Sequence, residues 1–167
     1  FSFPPIARPS SRVLILGSMP GQRSLQANQY YAHPQNAFWP VVSACCGFEP
    51  DLPYAERTRR LVARGIALWD VLQSCDREGS LDSDIVGASA RCNDFARFFA
   101  SHPRIGTVLC NGGTSFQKFE RLVVPTLGER AEALRIVRMP STSPAHTMPR
   151  AEKLAAWREA LAEFTDR

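Results

Sequence analysis

At 167 residues, with 44% hydrophobic and 22% charged side chains, the chain has the size and balance of one globular domain, and no apolar run approaches a membrane span. A net charge of +4 and a pI near 9.0 are compatible with a polyanionic partner without demonstrating one. Cys45, Cys46, Cys75, Cys92 and Cys110 form no CxxC pair, and their odd number argues against a fully paired disulfide framework, so buried free thiols are expected.

Residues 1–11, rich in Pro and Ser, read as an extended lead-in; their start, Phe1-Ser2-Phe3-Pro4-Pro5, lacks the basic and apolar parts of a secretory signal, so a soluble cytoplasmic protein is expected. Val13-Leu14-Ile15-Leu16 is a continuous apolar run ending at Gly17, the pattern of a strand buried on both faces. Helical spacing follows over 36–46 with Gly47 as a stop, and again over 54–64 with basic residues near its end and Gly65 after it. Residues 66–72 read as a second strand with Asp70 emerging near its end, and the Gly-, Ser- and Asp-rich stretch 74–93 as the longest loop. A helix over 94–101, a strand over 105–110, a helix over 114–124 after the Asn111-Gly112-Gly113 turn, and an edge strand over 134–138 come next. The last element is an amphipathic helix over 149–164 with Leu154, Trp157, Leu161 and Phe164 on one stripe. Strands alternating with helices predict an α/β fold, a parallel sheet covered on both faces, in one domain over 1–167.

Two segments leave strand ends far apart in the chain: Gly17-Ser18-Met19-Pro20-Gly21 and Met139-Pro140-Ser141-Thr142-Ser143-Pro144-Ala145-His146. In open α/β sheets ligands bind outside the carboxyl ends of the strands, so the two loops are expected to wall one cleft. Gly17 and Gly21 allow close backbone approach and unusual φ, while Pro20, Pro140 and Pro144 stiffen the walls. N–H groups of the first loop suit an anionic oxygen, and the hydroxyls of Ser141, Thr142 and Ser143 suit phosphates. An ordinary strand-ending turn explains either loop taken alone. Asn36 is both a favoured helix cap and an amide able to orient water. Trp39 reads as core, and Phe38 as core or as a stacking platform. His33, His102 and His146 show no metal-ligand spacing.

Together with Tyr30-Tyr31-Ala32-His33-Pro34-Gln35-Asn36-Ala37-Phe38-Trp39, the two loops resemble the signature motifs of the uracil-DNA glycosylase superfamily. In its mismatch-specific uracil and thymine members a Gly-Ile-Asn-Pro-Gly loop is followed by His-Pro-x-Asn-x-Phe-Trp, and later by Asn-Pro-Ser or Met-Pro-Ser. The order is the same here, but Met19 stands where those enzymes carry their water-positioning asparagine. With that departure and its Met-Pro-Ser-Thr-Ser-Pro-Ala-His segment, the sequence is most similar to the hypoxanthine-DNA glycosylase branch, over residues 12–150.

The resemblance implies a three-layer α/β/α sandwich with a mostly parallel four-stranded sheet. It implies a monofunctional enzyme that hydrolyses the N-glycosidic bond of a flipped deaminated base, preferentially hypoxanthine, in base excision repair. Since Met19 cannot orient water, Asn36 becomes the catalytic candidate, with Ser18 and His146 beside it. Phe38, Asp70, Met19 and Tyr31 are expected around the base, and Gly21, Ser141, Thr142, Ser143, Pro144 and Ala145 on the DNA, with Pro144-Ala145-His146 filling the space the base leaves. Uracil-removing relatives place Asn where Asp70 stands; an ionised carboxylate accepts only, which matches the N1–H of hypoxanthine. No metal or cofactor is expected, and the absence of lysine from the site segments disfavours a Schiff-base mechanism. The expected partner is DNA bound by a monomer, in the cytoplasm at a bacterial nucleoid. A uracil or mismatched-thymine enzyme, an inactive DNA-binding relative and an α/β enzyme acting on free nucleotides are the alternatives.

Overall fold

The computed structural model describes residues 1–77, 79–81 and 85–166, without the side chains of 85–90. In chain order the elements are β1 (Val13–Gly17), α1 (Gln22–Ala27), α2 (Phe38–Cys46), α3 (Tyr54–Ala63), β2 (Ile66–Asp70), β3 (Leu72–Arg77), β4 (Ile85–Cys92), α4 (Phe95–Ser101), β5 (Thr107–Asn111), α5 (Gly113–Lys118), α6 (Glu129–Glu132), β6 (Arg135–Met139) and α7 (Arg150–Thr165). A π-helical turn, Phe119–Val123, extends α5.

The parallel sheet has the order β2-β1-β5-β6. Every residue of β1, β2 and β5 is buried, which is why their sequences are apolar without alternation, whereas the edge strand β6 exposes Arg135 and Arg138. Successive side chains point to opposite faces of the sheet. Val13, Ile15, Ile66, Leu68 and Leu109 meet Trp39 of α2, Leu61 of α3 and Trp157 and Leu161 of α7. Leu14, Leu16, Ala67, Trp69 and Val108 meet Phe95, Phe98 and Phe99 of α4 and Phe119 of the π turn. The expected sheet with helices on both faces is therefore present. Burial pushes the thiols of Cys46 and Cys110 up to about 12, which makes them packing residues rather than nucleophiles.

The expected loop 74–93 contains an antiparallel hairpin, β3 with β4, whose register is irregular. Only Leu72 of β3 is buried, so no apolar pattern announces that strand, and the expected strand 66–72 breaks at Val71. Helix α1 was not expected: its six residues carry no side-chain cap and bury only Ser24. In the lead-in, Ile6 exchanges two 2.9 Å hydrogen bonds with Leu68, closing the open edge of β2. On the buried side of α7 sits Lys153, outside the expected apolar stripe. Among the described residues no helix is long and apolar enough to cross a membrane.

Candidate active site

The last residues of three strands, Gly17, Asp70 and Asn111, form the floor of a cleft of about 470 Å³ at the carboxyl edge of the sheet. Both motif loops line it, as do Tyr31, His33 and Asn36 from the α1–α2 connection and Ser80 and Leu81 from the hairpin tip. Parallel strands ending in register bring Asp70 beside Gly17, although 53 positions separate them in sequence. A Cβ built on Gly17 would lie 2.5 Å from Asp70 Oδ1 and 3.1 Å from the Tyr31 hydroxyl. Gly17 is thus required for space; neither it nor Gly21 has the positive φ that the sequence suggested. The conformational demand falls on Gly112 instead, at φ +94 with Ser141 Cβ 3.0 Å from the position of its missing methyl.

The first loop is held through backbone and hairpin. Val71 N–H donates to the Gly17 carbonyl at 2.8 Å and Leu72 N–H to that of Ser18 at 3.0 Å. Arg77 donates to the Pro20 carbonyl, and Gln22 N–H to Ser80 Oγ at 2.9 Å. Ser18 is buried, and Met19 packs partly against the core below.

The second loop is held by side chains from elsewhere. Asn111 grips Thr142 twice: its Nδ2 donates to Thr142 Oγ1 and its Oδ1 accepts from Thr142 N–H, both at 2.9 Å. The carbonyl of Thr142 accepts from Ala37 N–H at 2.9 Å, joining the loop to the start of α2. Lys153 donates to the carbonyls of Ser143 at 3.2 Å and His146 at 2.8 Å, and Trp157 Nε1 to that of Pro140 at 3.0 Å. Burial, helped by the Arg150 charge, holds the Lys153 ammonium below its usual 10.5. Ser141 Oγ accepts from Ser143 N–H, and Ser143 Oγ from Ala145 N–H, leaving Pro144, Ala145 and His146 exposed at the rim.

Two expected site residues are repositioned. Phe38 is fully buried and lies under Tyr31, whose ring stacks on it at 3.9 Å between centroids and 19° between planes. The aromatic side chain in the cleft is therefore that of Tyr31, which holds φ +56, while Phe38 supports it from beneath. Thr142 is 1% exposed and committed to Asn111, so it anchors the loop instead of presenting a hydroxyl to phosphate. Asn36 lines the cleft and stands one residue before Ala37, the N-cap of α2. Its Oδ1 accepts from Phe38 N–H at 2.9 Å, so the group it offers the cleft is its NH₂.

Asp70 is 3% exposed at the base of the cleft. Burial first, and the Asp70 charge second, push the Tyr30 phenol far above 10; its hydroxyl donates to the Pro4 carbonyl at 2.8 Å, which makes it structural. Among the described residues no lysine lines the cleft, and no cluster of three or more His, Cys, Asp or Glu is placed to hold a metal. Sequence reasoning missed Asn111, which reads as part of a turn, Lys153, and the hairpin tip; position at a strand end was the one signal for Asn111.

A parallel α/β sandwich with a cleft across its strand ends, mostly apolar but with a carboxyl group on the floor and hydroxyl and amide groups on the walls, has the arrangement in which α/β proteins bind small ligands. The model of the uracil DNA glycosylase superfamily matches residues 4–165, and the chain belongs to that family. It is accordingly a DNA glycosylase, a hydrolase of N-glycosyl bonds. It is 36% identical over 114 residues to a hypoxanthine DNA glycosylase of Methanosarcina barkeri, covering 68% of this chain and 71% of that one. A hypoxanthine DNA glycosylase of Methanosarcina acetivorans is 35% identical over 111 residues, 66% of this chain and 69% of that one. The solution NMR structure of a Methanosarcina acetivorans protein, provisionally described as a uracil DNA glycosylase, superposes with a TM-score of 0.75 at 31% identity over 94% of this chain and 95% of that one. These relatives are archaeal, so they lend nothing to the expected bacterial nucleoid.

Proposed function

We propose that the chain is a monofunctional glycosylase that excises hypoxanthine from deoxyinosine in DNA, as a monomer folded in one domain, in the first step of base excision repair. The observation that carries this reading is the buried carboxylate of Asp70 on the cleft floor, between the first loop and Tyr31. When ionised, that group only accepts, so it pairs with the N1–H of hypoxanthine and offers nothing to a uracil carbonyl. The names of the two curated relatives support the same substrate.

In this reading the base is extruded into the cleft, at a cost of a few kcal/mol of unstacking, and lies against Tyr31. The NH₂ of Asn36 donates to a water oxygen and aims its lone pair at C1′. As the C1′–N bond breaks, its electron pair leaves with the base, the water oxygen bonds to C1′, and one water proton ends on the departed base. His146 and Ser18 stand where they can donate toward the developing negative charge. Ser141, Ser143 and the backbone of Gly21 contact phosphates, while Pro144 and Ala145 enter the gap in the duplex.

Purified protein incubated with duplexes carrying one hypoxanthine, uracil, xanthine or mismatched thymine tests this reading. Alkali-labile cleavage is expected fastest at hypoxanthine. Absence of abasic product there, with product at uracil or thymine, overturns the substrate assignment.

A further inference from the structure

A second cavity, of about 390 Å³, opens at the opposite edge of the sheet, where β1, β2 and β5 begin. Four arginines line it: Arg8 from the lead-in, Arg12 just before β1, Arg64 at the end of α3 and Arg104 ahead of β5. Among the described residues no carboxylate lines it and none of the four is ion-paired. Carboxylates are used differently elsewhere: Glu56 takes both Arg59 and Arg60 on one exposed helix face.

Two of the four guanidinium groups are fixed in place by packing. Arg64 donates to the carbonyls of Thr165 at 2.7 Å and Cys46 at 3.0 Å, which leaves further N–H groups of its fork unused. Arg12 lies over the Phe164 ring at 5.1 Å. The other two, Arg8 and Arg104, are exposed at the rim, and no side-chain contact holds either of them. Four like charges around one hollow repel each other, and an oxyanion removes that repulsion. With four of the chain's 20 Lys and Arg residues around one hollow, the cavity is a local positive patch that attracts a polyanion.

We propose that this cavity is a phosphate site for the backbone of a second DNA segment, distinct from the one whose base enters the cleft. The inference rests on DNA being the partner. Guanidinium forks match phosphate oxygens bidentately, with two rigid forks to seat one phosphate and two mobile ones to reach its neighbours. Strands of five residues rising about 3.3 Å each separate cavity and cleft by roughly 15 Å of sheet, with the openings at opposite edges. A duplex seated on the cleft therefore leaves the cavity available. Contacts of this kind carry no sequence information, so the second segment is ordinary undamaged DNA. One molecule would hold two duplexes and pass between them without dissociating fully.

The test uses the intact chain and the Arg8→Ala/Arg104→Ala double variant, checked for a parental melting temperature. A donor-labelled duplex with one hypoxanthine and an acceptor-labelled undamaged duplex are mixed with protein below either in concentration. Energy transfer is expected with the parent and lost in the variant, while single-turnover excision stays within twofold. For undamaged duplex, the slope of log affinity against log salt is expected to flatten by about 1 to 2 in the variant, since each lost phosphate contact removes about 0.9. Energy transfer that is absent in the parent, or undiminished in the variant, overturns the proposal. So does stabilisation of the parent by inorganic phosphate without any bridging, which would mark a small-oxyanion site. Bridging between two undamaged duplexes reads the cavity even if hypoxanthine is not excised, so the two readings fail separately.

Discussion

The two walls of the cleft are built on different principles. The first loop runs from β1 through Gly21 and is held by main-chain hydrogen bonds to residues 71 and 72 and by the hairpin tip. The second is gripped by three side chains, Asn111, Lys153 and Trp157, from the end of β5 and from α7. The first wall shares its hold between two main-chain bonds and the Arg77 and Ser80 side chains, so it depends less on any one of them. A wall held by distant side chains makes those residues part of the site without contact with the ligand. Asn36 belongs to neither scheme: it caps Phe38 between the walls and turns its NH₂ to the cleft.

That independence makes Asn36→Ala the largest expected effect. Single-turnover excision should fall by on the order of 10², as for loss of one preorganised donor. The melting curve should change by only about 1 kcal/mol, the worth of a cap. A folded, DNA-binding variant that excises at the parental rate would remove Asn36 from the chemistry.

Next in size is Asp70→Asn, since a mispaired buried contact is worth about 1 to 3 kcal/mol, a tenfold to hundredfold change in rate ratio. The ratio of excision rates on hypoxanthine and uracil duplexes should move toward uracil, with DNA affinity nearly constant. An unmoved ratio with both rates intact returns Asp70 to a structural role.

The contrast between the walls predicts that Asn111→Leu loses about 1 to 3 kcal/mol of stability, because it orphans groups of buried Thr142, and slows excision about tenfold. Ser80→Ala, which removes one exposed contact of the first wall, should cost less than about 1 kcal/mol. Equal effects in chemical denaturation would erase the distinction.

The smallest effect concerns Lys153. Its folded pKa lies below 10.5, so the unfolded chain binds the proton more tightly between the two values, and its contribution to stability rises with pH across that window. Below the window the cost of burying the ammonium is present in full. That contribution runs against those of Cys46, Cys110 and Tyr30, whose raised pKa values make stability fall with alkaline pH, so Lys153→Met should steepen the alkaline fall in melting temperature while loosening the 143–146 loop; an unchanged pH profile would remove Lys153 from it.

Much of this was legible in the sequence because strands buried on both faces announce themselves without alternation, as Val13-Leu14-Ile15-Leu16 does, and because glycine and proline mark where they stop. The two loops followed from those ends, whereas Asn36 and Asp70 came forward as site candidates through the family resemblance. What escaped depends on contacts across the fold. Asn111-Gly112-Gly113 looks like a turn until Thr142 arrives 31 positions later. Lys153 looks like a surface residue until its ammonium meets two carbonyls, and Phe38 looks like a platform until Tyr31 covers it. The hairpin is polar because it buries little, so its strands carry no hydrophobic signature.

The strand order has a consequence for how the molecule is made. β1 precedes both of its neighbours in the chain: β2 and β5 begin 53 and 94 positions after Val13. Until both partners emerge, a fully apolar strand waits unpaired, the circumstance in which slow, non-local sheets aggregate. The second wall needs α7 as well, which follows all four strands of the sheet, so the cleft closes after the sheet's last strand has been made. A nascent molecule can therefore pair its whole sheet before the second wall of its cleft exists.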